Sequence, residues 1–405
     1  MEPYRNVVWY LCRVLLLVSI FCGFSPAQEV TSTLPDKNPL AKRAFDRFYN
    51  MEYAPAIRDF EALAKQFPDD PHANNYLLTA ILFREMYRIG ALDSESYAND
   101  SFLDIKPKRP LDPEVGKRIR ELIDRSEALC NARLAKNPND VDALYARGAE
   151  RGLRATYMAM GEKAWLAAVR AALSARRDHE KVLQLDPNYI DAKMTVGVHN
   201  YIVGSMNWFY RSMVALAGVT GSRQKGLNYL REVANAKCET SMDARIALAL
   251  FLRREQKYPE AITVVKSMMD DYPKNYLAAV EYGYLLNAAG KGPEAIVAFR
   301  EVLEGCKEGK YSVCEPQRVA YALGTALRGQ RKYEEAAAAF DSAATFPETD
   351  KKMLQRSRLA AGQMYDTLQQ REVALKKYKE VLTADASTPE AQLAKKYVAK
   401  PFHQD

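Results

Sequence analysis

The chain has 405 residues, of which 48% are hydrophobic and 27% charged, and its formal net charge is +7. That length exceeds what one small core can organise and favours an extended array or several domains. The charge is modest, and Lys and Arg alternate with Asp and Glu, with no basic stripe interleaved with aromatics. This argues against a nucleic-acid binder.

Residues 1–27 read as a secretory leader. Arg5 and Arg13 supply the positive end, and VLLLVSIFCGF at 14–24 forms an apolar core too short for a comfortable membrane span. Ser25 and Ala27 place small residues before Gln28. Cys22 offers lipidation as an alternative, which the large Phe21 before it disfavours. An uncleaved anchor is a third reading, because apolar residues begin at Val7. Loss of this leader removes two Arg and Glu2, so the charge falls from +7 to +6.

Residues 28–40 are polar, carry Pro35 and Pro39, and read as a flexible lead-in. Ala56, Phe60, Leu63 and Pro68 then mark the second helix of a first helix pair, ended by FPDD at 67–70. A first helix follows over 73–89. In the stretch 91–113, Pro107, Pro110 and Pro113 forbid a regular helix. This stretch is an insert ahead of the helix over 114–136, with a domain linker as the competing reading.

Three joints share one spacing: Pro138 to Gly148, Pro187 to Gly197, and Pro273 to Gly283 are each ten residues. In each, a helix stops, a turn follows, and the next helix reaches a close-contact Gly. Residues 139–240 therefore belong to the same array, with hairpins lengthened around Trp165 and Ala171. The segment 204–221 (GSMNWFYRSMVALAGVTG) is apolar, aromatic and bounded by Gly. At helical spacing Trp208, Met213, Leu216 and Ala217 share one face. It reads either as a core helix or as a contact for a partner or membrane surface, with Trp208, Phe209 and Met213 as the contact residues.

From Met242 the array is regular. Ala261, Val265, Met268 and Pro273 close one unit, and one pattern then recurs three times: a Gly, an Ala twelve residues on, an aromatic four later, and a small or β-branched residue three later. The instances are Gly283, Ala295, Phe299, Val302; Gly324, Ala336, Phe340, Ala343; and Gly362, Ala374, Tyr378, Val381. Gly and Ala let two helices approach, and the aromatic is expected to fill the gap between successive hairpins. Thr388-Pro389-Glu390 opens a last helix to Val398, whose polar outer side suits a terminal cap. Cys306 and Cys314 flank a short loop: in an oxidising compartment they close a small ring, and otherwise they are free thiols. Cys130 and Cys238 complete the set outside the leader.

These spacings resemble the tetratricopeptide repeat, a helix–turn–helix unit of about 34 residues. The resemblance implies an all-α, right-handed superhelical solenoid of about eight antiparallel helix pairs, preceded by the signal peptide. The implied organisation is a leader at 1–27, a lead-in at 28–40, divergent hairpins at 41–240, regular repeats at 241–386, and a capping helix and tail at 387–405. A more local resemblance covers some 35 residues. Gly197, the apolar segment, and GSRQKGL at 221–227 followed by Leu230 are similar to a eukaryotic tetratricopeptide family that includes an inclusion-body clearance protein. No function is carried over from it.

Members of the tetratricopeptide family often bind peptides in the groove lined by their first helices. Some grip a C-terminal carboxylate with Lys and Asn, but the matching positions here are Val280 and Tyr284, so that clamp is absent from this unit. The same alignment makes Tyr284, Arg318, Tyr321, Arg328, Arg356 and Gln363 the expected groove residues. Tyr and Arg are types that concentrate binding energy. Signatures of chemistry are sparse. The histidines are His72, His179, His199 and His403. His179-Glu180 starts like a zinc-protease helix, but Leu183 replaces the second His. No metal site or cofactor is expected. The expectation is therefore a non-enzymatic scaffold, exported to the periplasm or outer envelope of a bacterium, with a protein or peptide partner and no nucleic acid. Two rivals remain: chemistry around the 91–113 insert or His199, and a peripheral membrane role for the 204–221 segment.

Overall fold

A computed structural model describes residues 38–92, 109–208, 211–212, 215, 218–347 and 349–403. Among them the regular structure is seventeen α-helices and one π-turn. The leader, residues 28–37 of the lead-in, residues 93–108 of the insert, and Phe209, Met213, Leu216 and Ala217 lie outside the described residues. The chain forms two compact units, dividing between Lys257 and Tyr258.

Unit 1 contains α1 (Pro39–Tyr49), α2 (Tyr53–Gln66), α3 (Pro71–Arg88), α4 (Pro113–Lys136), α5 (Val141–Thr156), α6 (Trp165–Leu185), α7 (Ala192–Ser205), α8 (Arg223–Ala234) and α9 (Ser241–Arg254). Each start has a local cause. Asn38, Asp70 and Asp112 each accept backbone N–H groups of the first turn, and each precedes a Pro at the first helical position. The first helix therefore begins at Pro39, capped by Asn38. The proline-rich insert likewise ends in a capped helix start, because Pro113 occupies a position where no N–H is needed. α5 runs into the π-turn Tyr157–Gly161.

Consecutive helices pack as pairs α1/α2, α3/α4, α5/α6 and α7/α8, and the first helices also touch in series, α3 with α5 and α7 with α9. The long α6 absorbs the extra length expected near Trp165 and Ala171.

Unit 2 contains α10 (Tyr258–Asp271), α11 (Tyr276–Ala288), α12 (Gly292–Lys307), α13 (Pro316–Gly329), α14 (Tyr333–Ala343), α15 (Lys351–Thr367), α16 (Arg371–Ala384) and α17 (Pro389–Ala399). The pairs are α11/α12, α13/α14 and α15/α16, with α17 packed on α16 and α15. Within each pair the first helix presents its Gly to the aromatic of the second. A Cβ placed on Gly283 would lie 2.5 Å from Phe299, one on Gly324 2.7 Å from Phe340, and one on Gly362 2.5 Å from Tyr378. The aromatic therefore fills a gap inside its own hairpin, not between hairpins. Burial of these rings stabilises each pair by about 2–3 kcal/mol.

The hairpin turns share one construction. A single residue takes a positive φ, and the next N–H bonds back five positions. Lys291 N–H donates to Leu286 O at 2.9 Å across Gly290, Lys332 to Leu327 at 3.0 Å across Arg331, and Gln370 to Tyr365 at 2.8 Å across Gln369. Only the first of these turns uses Gly, where the left-handed backbone is free of strain.

Candidate protein-binding surface

The expected groove residues all fall on the first helices of unit 2, and all six are half-buried. Tyr284 on α11 rests edge-on against Phe299, with ring centroids 5.5 Å apart. Tyr321 on α13 rests at 5.2 Å on Phe340. In both cases the aromatic that fills the Gly gap also props a tyrosine on the first-helix face. Arg356, on α15, lies over the Tyr321 ring, its guanidinium carbon 4.7 Å from the centroid. Two successive first helices therefore share one cation–π contact, worth about 0.5–1 kcal/mol. Arg318 pairs with Glu315 at 3.1 Å, one turn back. Arg328 and Gln363 have no side-chain partner among the described residues. The structure thus joins Tyr321 to Arg356, supports Tyr284 and Tyr321 from below, and leaves Arg328 and Gln363 available.

Sequence reasoning missed Asp366, four residues beyond Gly362 on α15. Its buried carboxylate accepts from Arg371 at 2.9 Å, from the Tyr378 hydroxyl at 2.8 Å and from the Phe402 N–H at 2.8 Å. Burial and this carboxylate push the Tyr378 hydroxyl far above the usual tyrosine range. Cys306 and Cys314 are joined as a disulfide with Cα atoms 6.0 Å apart, closing the loop between α12 and α13.

The first-helix face of unit 1 is built differently. Tyr49 donates to Asp243 at 3.0 Å, across 194 residues of sequence. Tyr76 donates to Glu239 at 3.1 Å. Asp191 accepts from both the N–H and the hydroxyl of Thr240, at 2.9 and 2.6 Å. Burial raises Asp243 to about 7, with nearby Asp191 adding and the Tyr49 hydrogen bond opposing. On α5, burial raises Glu150 to about 7 although Arg154 bonds it at 2.8 Å. His72 bonds Asp142 at 2.8 Å. Burial opposes both charges, yet the pairing holds His72 above and Asp142 below its ordinary value.

The remaining histidines of unit 1 are structural. His179 fills the gap at Gly148, where a Cβ would lie 2.6 Å from its ring, and takes the place of the usual aromatic. Burial lowers it to about 4. His199 is fully buried and accepts from Arg176 at 2.7 Å. Burial and that cation hold it neutral down to about pH 3. A sealed histidine facing a guanidinium is poorly placed for proton transfer to a substrate. Trp208, by contrast, is 73% exposed, which excludes the core reading for that residue.

No protein-family model matches the chain, and no curated protein matches it. Solved structures do. The Cut9–Hcn1 hetero-tetramer of the APC/C aligns at TM-score 0.48 and 13% identity, covering 92% of this chain and 57% of that chain. A tetratricopeptide repeat protein from Parabacteroides merdae aligns at TM-score 0.32 and 13% identity, covering 78% of this chain and 97% of that chain. The human IFIT1 dimer with m7Gppp-AAAA aligns at TM-score 0.41 and 12% identity, covering 98% and 87%. By its own geometry, with consecutive helix pairs, Gly-to-aromatic contacts inside each pair and first helices in series, the chain is a tetratricopeptide-like array.

Proposed function

We propose that the protein is a non-enzymatic interaction scaffold of a bacterial envelope that holds an extended protein or peptide segment on the first-helix face of unit 2. The observation that carries this reading is the Tyr321–Arg356 stack, 4.7 Å deep and shared by successive hairpins. A rigid aromatic–guanidinium platform offers contact area with little ordering cost to the binder. Arg328 lies about two turns further along α13, ready for an acceptor on the partner. Export is supported by the leader-like sequence, and the Cys306–Cys314 bridge suits an oxidising compartment. Protein is favoured over nucleic acid on this face because the cations of unit 2 are interspersed with carboxylates.

The test is photo-crosslinking from position 363 on the same face in native envelopes, compared with the same probe in Tyr321→Ala/Arg356→Ala. Recovery of one protein species that the double variant loses, with helix content unchanged, is the expected result. Equal recovery from the double variant, or no crosslinked protein, would overturn the reading.

A further inference from the structure

A second surface lies in unit 1, at the end where α6 starts and α7 stops. These helices are consecutive and packed antiparallel, and the 2.7 Å contact between Arg176 and His199 fixes their register. From that contact it is roughly three turns back along α6 to Trp165, about 16 Å, and α7 runs on the same way to Ser205, just short of Trp208. The two tryptophans therefore emerge at the same end. Trp208 is 73% exposed and Leu166 is 53% exposed. Lys163 holds its ammonium 5.6 Å from the Trp165 ring centroid. Arg170 and Arg211 are exposed beside them.

The charge at this end is one-sided. Residues 163–177 contain four cations and no acid, and residues 204–231 contain four cations and no acid. The nearest carboxylates are already neutralised: Glu162 pairs with Arg120 at 3.1 Å and Glu255 with Arg223 at 3.2 Å. Exposed tryptophan and leucine flanked by Lys163, Arg170 and Arg211, which form no ion pair among the described residues, match the layered polarity of a bilayer surface, where phosphates lie outside acyl chains. A protein partner would need an acidic, apolar patch of its own; an anionic membrane presents both features everywhere. No helix among the described residues is long and apolar enough to cross a membrane, so the contact is interfacial.

We propose that this end of unit 1 docks on an anionic lipid surface, with Trp165, Leu166 and Trp208 entering the headgroup layer and Lys163, Arg170 and Arg211 meeting lipid phosphates. The docking is independent of the unit 2 surface and can fail without affecting it.

The test uses the full chain carrying Trp9→Phe, which leaves Trp165 and Trp208 as its tryptophans. The probe is vesicles of phosphatidylglycerol and phosphatidylcholine with brominated chains, which quench tryptophans that reach them. Quenching is expected on the mixed vesicles, not on pure phosphatidylcholine, and it is expected to vanish in about 0.5 M salt, where charges are screened within a few ångströms. Arg170→Gln/Arg211→Gln should raise the lipid concentration needed about thirtyfold, at roughly fivefold per cation. Leu166→Asp should weaken binding at unchanged charge dependence. The proposal is overturned by equal quenching on neutral vesicles, which would report the apolar leader, or by no quenching at all. Sedimentation showing that Trp208 joins two copies of the chain would overturn it as well.

Discussion

The two units solve the same packing problem with different chemistry. In unit 2 each close approach is a glycine against the ring of Phe299, Phe340 or Tyr378. In unit 1 a histidine takes the ring's place at Gly148, and at Gly226 there is no ring at all. A Cβ on Gly226 would lie 2.6 Å from the Gly197 carbonyl oxygen and would collide with the backbone N of Tyr201. A ring edge can shift by a few tenths of an ångström, whereas two backbones in contact cannot move without unpacking their helices. Unit 1 also fixes its first-helix face with tyrosine–carboxylate links such as Tyr49–Asp243, whereas unit 2 keeps Tyr321 and Arg356 at the surface. The lesson is that one repeat plan can tie its first helices together by buried hydroxyl–carboxylate bonds in one half and by a half-buried ring–guanidinium contact in the other.

The largest expected break in this comparison is Gly226→Ala. Because the new methyl meets backbone on α7, unit 1 should lose more than about 4 kcal/mol or fail to fold, read by chemical denaturation. Next comes the acid-dependence of unit 1. Asp243 titrates at about 7 in the fold, above its ordinary value, so its contribution is complete at low pH and is lost as pH rises through 7. On that account wild type should be on the order of 3 kcal/mol less stable at pH 8 than at pH 5 from this group alone. Asp243→Asn, which still accepts from Tyr49, should flatten the difference in melting temperature between the two pH values. An unchanged difference would refute the assignment. Third, reduction of Cys306–Cys314 should cost unit 2 about 2.5 kcal/mol, the loop-closure value for so small a ring, and leave unit 1 untouched. The smallest effect is Gly324→Ala. Its methyl meets a movable ring at 2.7 Å, and helix propensity offsets part of the clash, so a net loss of about 1 kcal/mol is expected. If Gly324→Ala proves as costly as Gly226→Ala, the distinction between ring and backbone contacts falls.

Unit 2 was legible because its signal is local and repeated. A Gly and an aromatic sixteen residues apart on one hairpin leave the same mark three times. The Pro-to-Gly joints likewise pointed to Gly148 and Gly197 as contact glycines. What faces them was not legible. His179 lies 31 residues from Gly148, past a lengthened helix and a π-turn, so no fixed spacing links them. Gly226 sat in plain view within GSRQKGL, but nothing local says that a glycine will meet another backbone. The Tyr49–Asp243 bond spans most of unit 1 and depends on how every hairpin between them packs. Asp366 was hidden for another reason: its partners come from two places on the neighbouring helix and from the tail, and no periodic pattern collects those.

Arg371 also donates to the backbone oxygens of Tyr397 and Val398, at 2.7 Å each, and so covers the last carbonyls of α17. Repeat stacks whose final helix keeps open carbonyls and a bare apolar flank can add a second molecule end to end and grow into filaments. The guanidinium of Arg371, with Phe402 folded onto Tyr397 at 5.3 Å, leaves α17 fewer open groups for such an addition.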